Sequence, residues 1–200
     1  MYKRILIIVL FLKGITILAQ NNISLKLSTI SYQFTETQPE LLNLQLSENG
    51  KLAFEPGLIF SYEGYASSNT AFKFLQSAIY DKAAHFSATT QVMIKFKIAK
   101  SFKHSLYLGF GPAVHYRKSW SDMDGYVNEE VYTEKSDWQY KINWLSGELE
   151  YNFYLGKFSD LCISINHTQA ESIGLAIGYK YWINKKPVKK KGCVSCPSLH

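Results

Sequence analysis

The stretch SLYLGFGPAVHYR, residues 105–117, decides the fold. Every second side chain in it is apolar and mostly large: Leu106, Leu108, Phe110, Pro112, Val114 and Tyr116. The positions between them hold Tyr107, Gly109, Gly111, Ala113, His115 and Arg117. A period of two places alternate side chains on opposite faces of a β-strand. The stretch therefore predicts a strand with one apolar face and one face of small or polar residues.

The same alternation recurs along the chain. Regular segments cover residues 52–65, 84–98 and 173–183, and less regular ones cover 23–34, 70–80, 138–155 and 160–168. In two of these the apolar parity switches, near Thr29 and Trp144, which indicates a β-bulge or bend. We find no convincing amphipathic helix after residue 20. Eight strands are expected, and eight antiparallel strands of this length can close into a barrel without exposed edges.

The two faces differ in a way that orients the barrel wall. The apolar face is bulky and nearly continuous, whereas the other mixes glycine and alanine with charges of both signs, Lys73 among them. A narrow lumen suits that mixture, while a soluble ligand-binding barrel or sandwich would need the reverse. We therefore expect the apolar face to point outward. The predicted lumen charge network comprises Glu55, Glu63, Lys95, Lys97, Arg117, Glu148, Glu150 and Lys180.

Those lumen charges have two interpretations. An acid/base cluster or proton path is conceivable, but structural pairing is favoured because an unpaired charge in a narrow lumen is costly. Side chains normally fill the interior of an eight-stranded barrel, so no solute pore is expected.

The linkers favour the same orientation. The two longest, residues 35–51 and 118–137, fall at one end of the predicted strands, while 66–69, 99–104 and 156–159 at the other end are short. Transmembrane barrels have this asymmetry, with long loops outside the cell. The second long loop is acidic, and aromatic residues concentrate at strand ends as in interfacial girdles.

The N-terminus predicts export. Residues 1–4 are basic, 5–12 are uninterruptedly apolar, and cleavage is expected after Ala19 or Gln20. A membrane anchor is disfavoured because Lys13 follows the run and eight residues cannot cross a core of about 30 Å as a helix. No cysteine follows the cleavage region, which disfavours a lipoprotein. We assign residues 1–20 to a signal peptide, 21–184 to the barrel and 185–200 to a Lys-rich periplasmic tail.

The net charge of +6 reflects the two termini. Without the three cations before residue 20 and the five lysines after residue 184, the body carries a net charge of −2. A nucleic-acid-binding domain needs its cations on the folded surface that meets phosphates. Nucleic acid is therefore excluded as an expected partner.

On these patterns the chain resembles the small eight-stranded outer-membrane β-barrels of Gram-negative bacteria. The most specific motif is GYKYWI, residues 178–183, in which Gly178, Tyr181 and Ile183 are similar to the terminal-strand signal read by the outer-membrane assembly machinery. The resemblance implies location in the outer membrane, contact with its lipid and lipopolysaccharide, and that machinery as a partner. It implies no cofactor.

His167 is a catalytic candidate, with Glu171 and Ser172. Here the chain faintly resembles outer-membrane lipid A deacylases, in which a lipid-facing His activates Ser for attack on an acyl ester. In those enzymes His and Ser stand two residues apart, whereas Gln169 occupies that position here. An interfacial histidine at a strand end is the favoured interpretation.

The tail contains CVSC, in which Cys193 and Cys196 are expected to form a local disulfide in an exported compartment. Pro197 after the second cysteine excludes covalent haem attachment, and the ligands for structural zinc are incomplete. Asp122 and Asp124 start a calcium-like loop that lacks its later ligands. No metal site is therefore predicted. The tail lysines could touch anionic headgroups or another envelope component.

These patterns are compatible with three functions. The leading one is a non-enzymatic integral outer-membrane barrel with a structural or surface-contact role. The alternatives are a membrane-embedded acyl hydrolase using His167 and a soluble exported barrel that binds an apolar ligand.

Overall fold

The computed structural model describes residues 20–34, 44, 46–47, 51–121, 123, 126, 132–169 and 172–183. Within these ranges the chain forms nine β-strands. They are β1 Gln20–Gln33, β2 Leu52–Tyr65, β3 Thr70–Tyr80, β4 Phe86–Lys100, β5 His104–Lys118, β6 Thr133–Lys135, β7 Trp138–Gly156, β8 Ser159–Gln169 and β9 Ser172–Trp182.

Eight of the strands close into an antiparallel barrel. Neighbours in the chain pair with each other, β5 pairs with β7, and β1 closes the sheet against β9. The short β6 pairs only with the start of β7 and extends that hairpin beyond the wall. The predicted eight-stranded, antiparallel, up-and-down barrel is thus confirmed. No helix in the described part of the chain is long and apolar enough to span a membrane.

The two ends of the barrel differ. At the end that holds Gln20 and Trp182, the strands are joined by short turns at residues 66–69, 101–103 and 157–158. We call this the turn end. At the opposite end, the loop end, lie the connections 34–51, 81–85 and 119–137.

The strand boundaries agree with the alternation to within a few residues. One difference is at β4, which begins at Phe86 rather than Ala84. Ala84 has a φ of 60° and its N–H donates to the Asp81 carbonyl at 2.8 Å. Since a left-handed residue cannot continue an extended strand, residues 81–85 form a turn.

Both predicted bulges are present. The register of β1 shifts between Ser28 and Ile30 against each of its neighbours, and that of β7 shifts opposite the Gly111–Ala113 segment of β5. Three further shifts were not predicted: Lys97 to Ala99 in β4, Tyr154 to Gly156 in β7 and Asn166 to Gln169 in β8. Each lies near the end of its strand, where too few alternating positions remain to show a change of parity.

The wall is apolar outside and polar inside. Outward side chains such as Leu27, Phe72 and Val92 are about half exposed. Inward side chains of the same strands, including Lys26, Lys73 and Gln91, are fully buried. This arrangement is the inverse of a soluble globular domain.

Candidate functional site: the filled lumen and the apolar belt

The centre of the lumen is a buried cluster of seven charged side chains, which we call the ion network. Its members are Lys26, Glu63, Lys73, Lys95, Glu148, Glu150 and Lys180. They come from β1, β2, β3, β4, β7 and β9, and every one of these side chains is fully buried. Alternation explains the convergence, because each strand contributes the charges that lie between its outward apolar residues.

Glu150 lies at the hub of the network. Its carboxylate accepts from the Nζ atoms of Lys26 at 2.7 Å and Lys73 at 2.8 Å. It also accepts from Lys95 at 2.5 Å, and Lys180 donates to the same carboxylate. One carboxylate therefore joins its own strand, β7, to four other strands across the barrel.

Glu63 and Glu148 complete the pairing. Glu63 accepts from Lys95 Nζ at 2.6 Å and from Lys180 Nζ at 3.1 Å, and also from the amide of Asn22 and the hydroxyl of Tyr65. Glu148 accepts from Lys26 Nζ at 2.7 Å and Lys73 Nζ at 2.5 Å. Each buried charge thus contacts at least two groups that are oppositely charged or polar. Buried ions are tolerated under this condition.

The network holds four lysines and three glutamates. Asp160 on β8 lies opposite Lys180 in register and is buried in the same lumen.

An aromatic plug closes the lumen at the turn end. Tyr65, Tyr107 and Trp182 pack together with Ala71 and are all buried. The Trp182 indole donates to Asp160 Oδ2 at 2.9 Å, and Lys95 Nζ lies 4.6 Å from the ring centroid of Tyr107. The contact between Lys95 and Tyr107 places the plug directly against the ion network.

On the other side of the network lies an apolar layer formed by Ile59, Leu75, Met93 and Ala176. Beside this layer, β5 lies close to β4. A Cβ on Gly111 would lie 2.1 Å from the Val92 carbonyl oxygen. A side chain at position 111 would therefore clash with the backbone of β4. The layer is the third obstruction along the axis.

A cap closes the lumen at the loop end, centred on Trp120, which is 2% exposed. Its indole donates to Asp81 Oδ2 at 2.9 Å. The Arg117 guanidinium lies 3.7 Å from the Trp120 ring centroid and 4.0 Å from that of Tyr132, and it donates to Gln139 and Tyr126. Burial raises the pKa of the Asp81 carboxyl above its usual range. The cap ties connections 81–85 and 119–137 to each other.

The structure brings five of the predicted lumen residues into one cluster: Glu63, Lys95, Glu148, Glu150 and Lys180. Lys97 lies instead at the turn end, where it donates to the Ser68 carbonyl, and Arg117 belongs to the cap. Glu55 is buried near the loop end of β2, away from the cluster.

Two members of the network were not in the predicted set. The sequence placed Lys73 on the charged face assigned to the lumen, because it alternates with Phe72 and Phe74, but its partners were not predicted. Lys26 precedes the parity switch of β1, which obscured its face. Before the bulge, alternation puts Ile23, Leu25 and Leu27 on the outer face. On that pattern alone, Lys26 faces the lumen.

His167 points outward near the loop end of β8 and is half-buried. Its Nδ1 lies 3.1 Å from the backbone carbonyl oxygen of Ser172, and its ring meets Phe34 edge-on at 6.3 Å. A carbonyl oxygen accepts, so Nδ1 is the donor in this contact. The structure therefore brings His167 to the backbone of Ser172, while Glu171 lies outside the described residues.

The three residues of the predicted assembly signal occupy different faces of β9. Tyr181 and Ile183 point outward and are about half exposed. Gly178 points inward, and a Cβ there would lie 2.2 Å from the Leu25 carbonyl oxygen on β1. The close contact between β1 and β9, where the barrel closes, is therefore by itself a packing reason for glycine at position 178.

Several predicted features lie outside the described residues. They are the signal peptide through residue 19, Asp122 and Asp124 of the acidic loop, and the tail with Cys193 and Cys196. Among the described residues no group of three or more His, Cys, Asp or Glu side chains is arranged to hold a metal ion.

A closed barrel with an apolar belt outside and a packed, charged lumen inside is a transmembrane β-barrel. Solved outer-membrane barrels are similar in fold. The Ail attachment invasion locus protein of Yersinia pestis aligns with a TM-score of 0.49 and 12% identity over 82% of this chain and 98% of its own. OprG of Pseudomonas aeruginosa aligns at 0.47 and 9%, over 83% and 97%.

The N-terminal barrel domain of Pseudomonas aeruginosa OprF aligns with a TM-score of 0.46 and 8% identity, over 82% of this chain and 98% of its own. No protein-family model and no curated protein sequence matches the chain.

Proposed function

We propose that the protein is a non-enzymatic, integral outer-membrane barrel of a Gram-negative envelope, with its turn end in the periplasm and its loop end outside the cell. The observation that carries this proposal is the inverted distribution of polarity. Lysines and glutamates are fully buried in the lumen, while leucine, phenylalanine and valine side chains are about half exposed on the wall. Only a nonpolar solvent makes that distribution favourable.

The filled lumen supports a structural rather than a transport role. In the described part of the chain, the aromatic plug, ion network, apolar layer and cap follow one another along the axis and fill successive levels of the lumen with side chains. Function is then expected at the surfaces, namely the belt that contacts lipid and lipopolysaccharide and the loop end that faces the medium. The outer-membrane assembly machinery is the partner we propose for insertion.

The fold in a membrane is tested by heat-modifiable migration. A barrel closed by strand pairing all around its wall resists denaturing detergent until it is heated, because no sheet edge is left open. We expect unheated protein from the membrane fraction to migrate differently from heated protein on a denaturing gel. Recovery in the periplasmic fraction without detergent, with one migration position, would refute the proposal in favour of the soluble barrel.

A further inference from the structure

The turn end carries a concentration of basic side chains. We define the basic rim as Lys97, Lys100, Lys103, His104 and Lys157. All except the half-buried Lys97 are exposed. They follow one another around the rim from the end of β4, through turn 101–103, to turn 157–158.

Backbone hydrogen bonds make this rim one continuous arc. The Lys97 N–H donates to the Asn69 carbonyl at 2.8 Å, which joins β4 to turn 66–69. The Tyr154 N–H donates to the Lys103 carbonyl at 2.8 Å, which joins β7 to turn 101–103. The lysines are therefore presented together on a paired scaffold.

The described residues of the turn end include no exposed carboxylate. The carboxylates nearest to this end, Glu63 and Asp160, are buried in the lumen and engaged there. At the loop end, by contrast, Glu134 and Asp137 are exposed beside Lys118 and Lys135. Among the described residues, exposed lysines without exposed carboxylates beside them are thus found at the turn end.

Apolar and aromatic side chains lie directly beside the basic rim. Phe102, at the tip of its turn, is 92% exposed, and the neighbouring Ile98 is 56% exposed. The His104 ring lies 5.8 Å from that of Tyr151 and 5.2 Å from that of Phe153, both on the outer wall. The cations thus lie at the border between the belt and water, where lysine can extend its ammonium group to headgroups while its stem stays on apolar surface.

We propose that the basic rim binds anionic phospholipid headgroups in the leaflet that it meets. This inference rests on the proposed function, since it requires the belt to lie in a bilayer. Phosphate groups supply the complementary charge, and Phe102 and Ile98 supply contacts for the acyl region. An anionic polymer would match the lysines but not these apolar side chains.

The sequence after β9 adds to the same charge. The Ile183 N–H donates to the Asn21 carbonyl at 2.9 Å, which fixes the last described residue at the turn end. Lys185, Lys186, Lys189, Lys190 and Lys191 follow it in the sequence. The contribution of the rim must therefore be separated from that of the tail.

The test compares two matched double variants of the full chain in detergent micelles doped with equal amounts of phosphatidylglycerol and phosphatidylethanolamine. Lys100→Gln with Lys103→Gln removes charge from the basic rim, and Lys118→Gln with Lys135→Gln removes the same charge from the loop end. Native mass spectrometry gives the ratio of retained anionic to neutral lipid. We expect a ratio above one for the wild type and the loop-end variant, and a fall of roughly five-fold per lysine for the rim variant. The ratio should also fall with added salt.

Three outcomes would overturn the proposal: equal ratios for both variants, loss of enrichment only on truncation after Asn184, or rim-dependent binding to purified cell-wall sacculi with unchanged lipid ratios. Heat-modifiable migration of each variant keeps the two proposals distinct. A variant that migrates as a folded barrel but shows no enrichment refutes only the lipid site, whereas a wild type that does not insert into bilayers refutes the proposed function.

Discussion

At the scale of single residues, Glu150 has the largest expected effect on stability, because four lysines converge on its carboxylate. Glu150→Gln would leave those four buried ammonium groups with one negative charge fewer. Removing one partner of a buried ion pair costs about 3–5 kcal/mol. We expect the free energy of unfolding to fall by about that amount, measured by urea titration in lipid vesicles.

Two further variants assign that loss to charge. Lys95→Met combined with Glu150→Gln removes one cation together with the anion, so it should recover part of the stability. Glu134→Gln changes an exposed carboxylate outside the wall and should change the free energy of unfolding little. If Glu150→Gln were as mild as Glu134→Gln, the ion network would not be the structural centre that its geometry suggests.

At the scale of elements, the cap depends on a buried acid in connection 81–85. Burial raises the pKa of Asp81, although the His85 N–H, the Trp120 indole and the charge of Arg117 favour its ionised form. The folded protein therefore prefers the protonated carboxyl more than the unfolded chain does. Its contribution to stability is greatest at acidic pH and is lost as the pH rises through the folded pKa.

Asp81→Asn keeps an oxygen that can accept from Trp120 but cannot ionise. We expect its free energy of unfolding, relative to that of the wild type, to improve as the pH rises from about 3 to about 7. Asp81→Leu leaves the Trp120 indole without its acceptor and should be less stable than Asp81→Asn throughout. A wild-type to Asp81→Asn difference that does not change with pH would contradict this account of the cap.

The elements also show how far the sequence predicts this molecule. Alternation located all eight wall strands and two bulges, because a two-sided wall imposes a period of two over many residues. The short β6 and the turn at Ala84 gave no such signal, since each depends on local hydrogen bonds and loop packing. Partners within the lumen were not readable either, because the pairing of Lys26 with Glu148 depends on how the strands are staggered around the barrel.

At the scale of the whole molecule, obstruction of the lumen is redundant, and this leads to a prediction about conductance. The wild type should carry no steady current across a planar lipid bilayer. Trp182→Ala opens the aromatic plug, yet the ion network still fills the next level with side chains that are fully buried. We therefore expect this variant to remain non-conducting, and likewise Trp120→Ala, which opens the cap at the opposite end. Steady single-channel current through either variant would show that one obstruction alone seals the barrel. The packed ion network would then not be a barrier to ions.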